Sequence, residues 1–131
     1  MYRHILIPTD GSELAERAVT HGLSLAKFVG AKVTVIIVAE AFARYTEQAK
    51  KHSASVLDRV ADAAKQAGVP CDTIRVQDAQ PYEAIIATAT DRGCDLIVMS
   101  SRGRGGLSAV VLGSVTNKVL TYTKVPVLVC Q

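Results

Sequence analysis

Two hydrophobic periods alternate along the chain, and that alternation limits the folds open to it. Short β-branched runs lie at Ile5–Pro8, Val33–Val38, Thr73–Val76, Leu96–Met99 and Val125–Cys130. A continuous apolar run such as Val33–Val38 suits a strand covered on both faces. Between these runs the apolar residues fall at helical spacing, over about Ser12–Val29, Tyr45–Ala67, Pro81–Arg92 and Ser114–Thr121. In the first stretch Leu14, Ala18, Leu25 and Val29 mark the expected buried face. Gly30, Gly68 and Gly93 stop the first three stretches, Pro81 suits the first turn of the third, and Pro126 ends the fourth.

Strands that alternate with helices of this length predict right-handed crossovers and a parallel sheet. No linker, low-complexity tract or internal repeat interrupts the pattern, so residues 1–131 are expected to form a single domain. With 49% hydrophobic and 21% charged residues, the composition is that of a globular chain. Ligands of open parallel sheets bind beyond the carboxyl ends of the strands, where the strand order reverses. A strand order of 3-2-1-4-5 makes strands one and four neighbours at that point. Two loops then face each other: Pro8–Ser12 and Ser100–Gly113.

Both loops carry chemistry that sheet packing does not require. The second holds Gly103, Gly105 and Gly106 together with Arg102 and Arg104. Glycine lets a ligand approach the backbone closely. A helix that begins near Gly113-Ser114 turns unpaired N–H groups and the positive end of its dipole toward the same space. Ser114 and Thr116 add hydroxyls that can meet phosphate oxygens. Gly103–Thr116 therefore reads as a phosphate-holding segment, the alternative being a mobile surface loop ahead of a helix capped by Ser114. It is neither a Gly-x4-Gly-Lys-Ser/Thr loop nor a Gly-x-Gly-x-x-Gly dinucleotide fingerprint. In the first loop, Asp10 and Glu13 have the spacing of a capping box. Asp10 can instead accept a ribose hydroxyl or hold a Mg2+ ion that bridges phosphates.

Other chemistries find little support. The 15 Lys+Arg and 12 Asp+Glu are scattered, which argues against nucleic acid as a partner. Cys71, Cys94 and Cys130 form no Cys-x-x-Cys pair and read as buried free thiols. The apolar stretch at Met1–Ile7 is too short for a signal peptide or a membrane span, so a cytoplasmic protein is expected. His4, His21 and His52 lack metal-ligand spacing and read as surface or helix-face residues. No Gly-x-Ser-x-Gly elbow surrounds Ser12 or Ser114, which argues against a hydrolase triad.

These residues resemble the universal stress protein A-like family, whose nucleotide-binding branch has Gly-x2-Gly-x9-Gly-Ser/Thr after strand four. Gly103, nine residues and Gly113-Ser114 reproduce the last two elements, and Ser100 stands in place of the first glycine. Ile5–Ser12, Asp95–Ser100, Val115–Asn117 and Pro126–Val129 are also similar to the family's first strand and loop, fourth strand and tail. The resemblance covers essentially the whole chain. It implies an α/β fold, Rossmann-like and of the adenine nucleotide alpha hydrolase-like type: one five-stranded parallel sheet, ordered 3-2-1-4-5, with helices on both faces.

The resemblance also implies an ATP site at the switch point, with ADP or AMP as alternatives and Mg2+ arriving with the nucleotide. Pro8, Thr9 and Asp10 would lie along the adenosine, Asp10 also being the candidate for the Mg2+. Val38 would meet the adenine edge through its backbone. Ser100, Arg102 and Gly103 would line ribose and phosphates, and Gly113, Ser114, Val115 and Thr116 would bind the phosphate tail. At Ser100 a Cβ and hydroxyl project where the family has none, which predicts weakened or altered binding. The apolar last strand, Val125–Cys130, is expected at a sheet edge, and the resemblance implies a homodimer through it. The expected function is that of a cytoplasmic, ATP-binding stress-response regulator without robust catalysis. Its rivals are a family member that has lost nucleotide binding and acts as an interaction module, and a nucleotide-dependent phosphotransferase.

Overall fold

A computed structural model of the chain describes residues 1–40, 47–78, 80–102 and 112–131. Its elements run β1 (His4–Thr9), α1 (Glu13–Val29), β2 (Lys32–Glu40), α2 (Glu47–Ala67), β3 (Cys71–Asp78), α3 (Pro81–Asp91), β4 (Leu96–Ser100), α4 (Ser114–Tyr122) and β5 (Val127–Cys130). The five strands form one sheet in the order β3-β2-β1-β4-β5, and every pairing is parallel. The parallel sheet is the one expected from the alternation of periods, and its Rossmann-like strand order is the one the family resemblance implies.

Alternate residues of the central strands feed two cores. Ile5, Ile7, Val33, Val35 and Val98 point to the side covered by α1 and α2. Leu6, Ile36, Ile97 and Met99 point to the opposite side, with Ile85 and Ala89 of α3 and Val119 of α4. Ile5, Leu6, Ile7, Ile36 and Ile97 are all fully buried. Each such side chain contributes about 1.5–3 kcal/mol of transfer free energy, so the middle of the sheet carries much of the fold's stability.

The buried stripe of α1 departs from expectation. It consists of Ala15, Ala18, Val19, Gly22, Leu23 and Ala26, while Leu14, Leu25 and Val29 lie at its margin. Small residues let the helix sit close on the sheet: a Cβ added at Gly22 would stand 2.5 Å from Ile7 Cδ1. The last strand begins at Val127 rather than Val125, because Val125 N–H donates to Thr123 Oγ1 in the turn that precedes it. Tyr45, the expected start of the second helix, lies outside the described residues. No described helix is long and apolar enough to cross a membrane.

The thiols and the first histidine are placed differently than expected. Only Cys94 is fully buried, while Cys71 and Cys130 are half-buried; all three are free. Burial pushes the Cys71 and Cys94 thiols up to about 11, so both stay protonated at neutral pH. His4 is a buried residue of β1 rather than a surface one. Its Nδ1 lies 3.2 Å from the Arg92 carbonyl and its Nε2 2.7 Å from Thr34 Oγ1. A carbonyl only accepts, so Nδ1 carries the proton and the Thr34 hydroxyl donates to Nε2. The neutral ring is thereby satisfied on both sides. Burial is the main cause of a lowered His4 pKa, and Lys32 adds to it.

Candidate functional site at the strand order reversal

β1 is the strand at which the sheet changes direction, since β2 lies on one side of it and β4 on the other. Ile5 pairs with Leu96 and Leu6 with Ile97. The same offset sets Thr9, the last residue of β1, level with Ser100, the last of β4. On the other side β1 stops at the Thr9–Ile37 pair while β2 continues to Glu40. Val38 therefore lies two residues before the end of β2 rather than at it. It is paired with Val76 of β3 and half-buried, in the part of β2 that overhangs β1. Pro8, Thr9 and Val38 thus lie at the order reversal, where open parallel sheets form their crevice, here opposite the end of β4 and the start of α4.

The β1–α1 loop is closed on itself. Gly11 N–H donates to Thr9 Oγ1 at 3.2 Å and Ser12 N–H to Asp10 Oδ1 at 2.9 Å. The cap of α1 is Ser12, whose Oγ accepts from Ala15 N–H at 3.3 Å. The capping-box reading of Asp10 and Glu13 is corrected by this geometry: Asp10 sits two residues ahead of the cap and steadies the turn into it. Gly11 has a φ of 81°, and a Cβ there would stand 2.8 Å from Val56 Cγ2 and 3.2 Å from His52 Nε2. These two α2 residues close over the loop, a contact between distant segments that no spacing in the sequence announces.

The start of α4 is built differently. Its cap position is Gly113, which has no side chain to accept a first-turn N–H. Gly113 has ordinary extended dihedrals, so its glycine is not required by a left-handed turn. It is favoured by proximity, because an added Cβ would lie 3.0 Å from Arg102 Cα and 3.3 Å from Arg102 Cβ. Gly113 N–H donates to the Ser101 carbonyl at 2.7 Å. The N–H groups of Ser114, Val115 and Thr116 occupy the first turn, where an α-helix offers no internal acceptor. Ser114 is exposed and Val115 half-buried.

Two hydroxyls at this site are already engaged. Thr116 is 3% exposed, and its Oγ1 donates to the Ser100 carbonyl at 2.8 Å. Its hydroxyl is therefore corrected from a phosphate donor to a link within the fold, which leaves its main-chain amide. Ser100 is buried, and its Oγ donates to the Arg102 carbonyl at 2.9 Å. The side chain expected to project toward a ligand instead turns back onto its own loop. Arg102 is half-buried. Gly103, Arg104, Gly105 and Gly106 lie outside the described residues.

Among the described residues no group of three His, Cys, Asp or Glu side chains is placed to hold a metal ion. An open surface depression of about 670 Å³ runs along α1 past Glu13, Arg17 and His21, and shares no residue with the crevice. The crevice therefore combines apolar walls, a carboxylate at Asp10 and a helix start without a side-chain cap. That combination suits an anion attached to a flat, partly apolar body.

The comparisons with known proteins agree with the architecture. Residues 1–131 match the model of the universal stress protein family. The universal stress protein MJ0577 of Methanocaldococcus jannaschii is 30% identical, with 100% of this chain and 96% of that protein covered. Its solved structure superposes with a TM-score of 0.89 at 29% identity, covering 99% of this chain and 96% of that one. A universal stress protein in complex with cAMP gives a TM-score of 0.81 at 24% identity, covering 99% of this chain and 97% of that one. One from Archaeoglobus fulgidus in complex with dAMP gives 0.81 at 20% identity, covering 99% and 98%.

Proposed function

The chain belongs to the universal stress protein family, and from that premise we propose that it binds ATP, or a related adenine nucleotide, between the ends of β1 and β4. The observation that carries this reading is the start of α4, where Gly113 replaces a side-chain cap beside the end of β4. Hydrogen bonds to a charged group contribute about 1.5–3 kcal/mol each. The three amides of Ser114, Val115 and Thr116 can thus supply a large share of the roughly 8 kcal/mol of a micromolar complex. This fold holds adenine nucleotides in the cAMP and dAMP complexes.

In this reading Pro8, Thr9 and the overhanging backbone at Val38 flank the adenosine, and Ser100, Arg102 and Gly103 line the path to the phosphates. Asp10 faces the nucleotide-bound Mg2+. The inward-turned hydroxyl of Ser100 supports this reading over a family member that has lost its nucleotide, because only its Cβ departs from the glycine of the family pattern. The protein then acts as a cytoplasmic nucleotide-dependent regulator, with at most slow ATP hydrolysis. The half-buried β5 edge, Val127–Cys130, is the surface for a homodimer.

Calorimetric titration with ATP, ADP and AMP, each with and without Mg2+, tests the reading. Micromolar binding that weakens as phosphates are removed is the expected result. No heat and no thermal shift with millimolar ATP would overturn it, and turnover well above background would favour an enzyme.

A further inference from the structure

We propose that Thr116 and Ser100 are positioning residues: a hydroxyl clamp that fixes the amino end of α4 to the end of β4 and so aims its first-turn amides at a bound phosphate chain. The proposal deepens the nucleotide reading above and rests on it.

Three hydrogen bonds make the clamp. Thr116, in the first turn of α4, donates its hydroxyl to the Ser100 carbonyl at 2.8 Å. Gly113 N–H, one residue before the helix, donates to the Ser101 carbonyl at 2.7 Å. Ser100 Oγ donates to the Arg102 carbonyl at 2.9 Å and closes the turn that leaves β4. The first two bonds join segments more than ten residues apart, and Ser101 is itself tied to β5 through its N–H and the Cys130 carbonyl at 2.8 Å. The glycine at 113 lets the two chains lie this close, at a point where a Cβ would crowd Arg102 Cα.

Each hydroxyl has one hydrogen, and both hydrogens point into the protein. A phosphate ester at neutral pH offers acceptors and hardly any donors. Neither side chain can therefore serve the phosphates directly while its internal bond stands. What they can do is hold α4 still. A nine-residue helix is marginal by itself and takes its position from tertiary contacts. Here the anchor is β4, whose residues are all buried. Amides held in place before the ligand arrives bind it without an ordering cost.

The test compares ATP with adenosine, which lacks the phosphates, in calorimetric titrations of the full chain. Thr116→Val keeps the shape and removes the donor. It is expected to weaken ATP about tenfold and adenosine less than twofold, with faster amide exchange at Gly113. Thr116→Ser restores the donor and should return ATP affinity to within about twofold of the unaltered chain. Ser100→Ala frees the Arg102 carbonyl and should weaken ATP about threefold, and this variant carries the test should Thr116→Val fail to fold. ATP affinity that is indifferent to both Thr116→Val and Ser100→Ala overturns the clamp alone. So does a loss shared equally by ATP and adenosine, or a loss that Thr116→Ser does not repair. If the unaltered chain ignores ATP, the nucleotide reading falls and the clamp falls with it.

Discussion

Two helices, α1 and α4, begin at the crevice, and they are finished in opposite ways. The start of α1 meets its own needs: Ser12 caps Ala15, Asp10 accepts from Ser12, and Val56 and His52 pack down on Gly11. The start of α4 is fixed in place from behind, through Gly113 and Thr116, while its cap position offers no side chain. A carboxylate at the first and none in the first turn of the second divide the labour further. Anions are favoured at a helix N-terminus, and a neighbouring carboxylate opposes them. In the proposed reading the sugar and any cation therefore fall to the β1 side and the phosphates to the α4 side.

The two glycines offer the sharpest way to break this contrast. Gly11→Ala combines a left-handed φ with a 2.8 Å approach to Val56 Cγ2, so a loss of about 2–4 kcal/mol in urea unfolding is expected. Gly113→Ala has an allowed φ and a softer 3.0 Å approach to Arg102 Cα, so about 1 kcal/mol of stability is expected to go. Its larger effect should fall on function, with ATP affinity reduced at least tenfold as the end of β4 and the start of α4 are pushed apart. Equal stability losses for the two variants would erase the distinction drawn between the loops.

A smaller effect is expected at the opposite end of β1, which serves as a control. The His4 pKa is lowered in the folded chain, mainly by burial, so the unfolded chain binds a proton more readily. Stability from this residue is complete above the unfolded value near 6.5 and is lost as the pH falls from there through the lower folded value. The Asp95 carboxyl is lowered as well: burial raises its pKa, but the N–H groups of Arg3 and His4 outweigh that and hold it low. Urea unfolding at pH 5 to 8 should show a slope on the acid side that His4→Gln flattens. An unchanged slope would remove His4 as its source.

Much of the fold was legible because it depends on local pattern. β-Branched runs, helical spacing and terminal glycines marked the nine elements and their parallel sheet, while the strand order, which sets both unusual loops at one reversal, came from the family resemblance. The α1 face was misplaced because Ala and Gly carry little hydrophobic signal, yet Gly22 packs against Ile7. The cap was misassigned between Asp10 and Ser12 because both residue types cap helices well. The Ser100–Thr116 link, the His4–Thr34 pair and the cover of His52 over Gly11 join residues far apart in sequence. Single-chain periodicity contains no trace of such pairs. At the site, the sequence therefore identified the segments correctly as elements but misread which atoms were free.

The central claim is that phosphates meet the start of α4 and not that of α1. Amide NMR of the isotopically labelled chain, titrated with Mg2+ and ATP, tests it most directly. The largest shift changes are predicted at Ser114, Val115 and Thr116, with clearly smaller ones at Ser12 to Ala15, and adenosine should leave the α4 amides nearly unmoved. Larger changes at the α1 amides, or none at either helix up to millimolar ATP, would contradict the account.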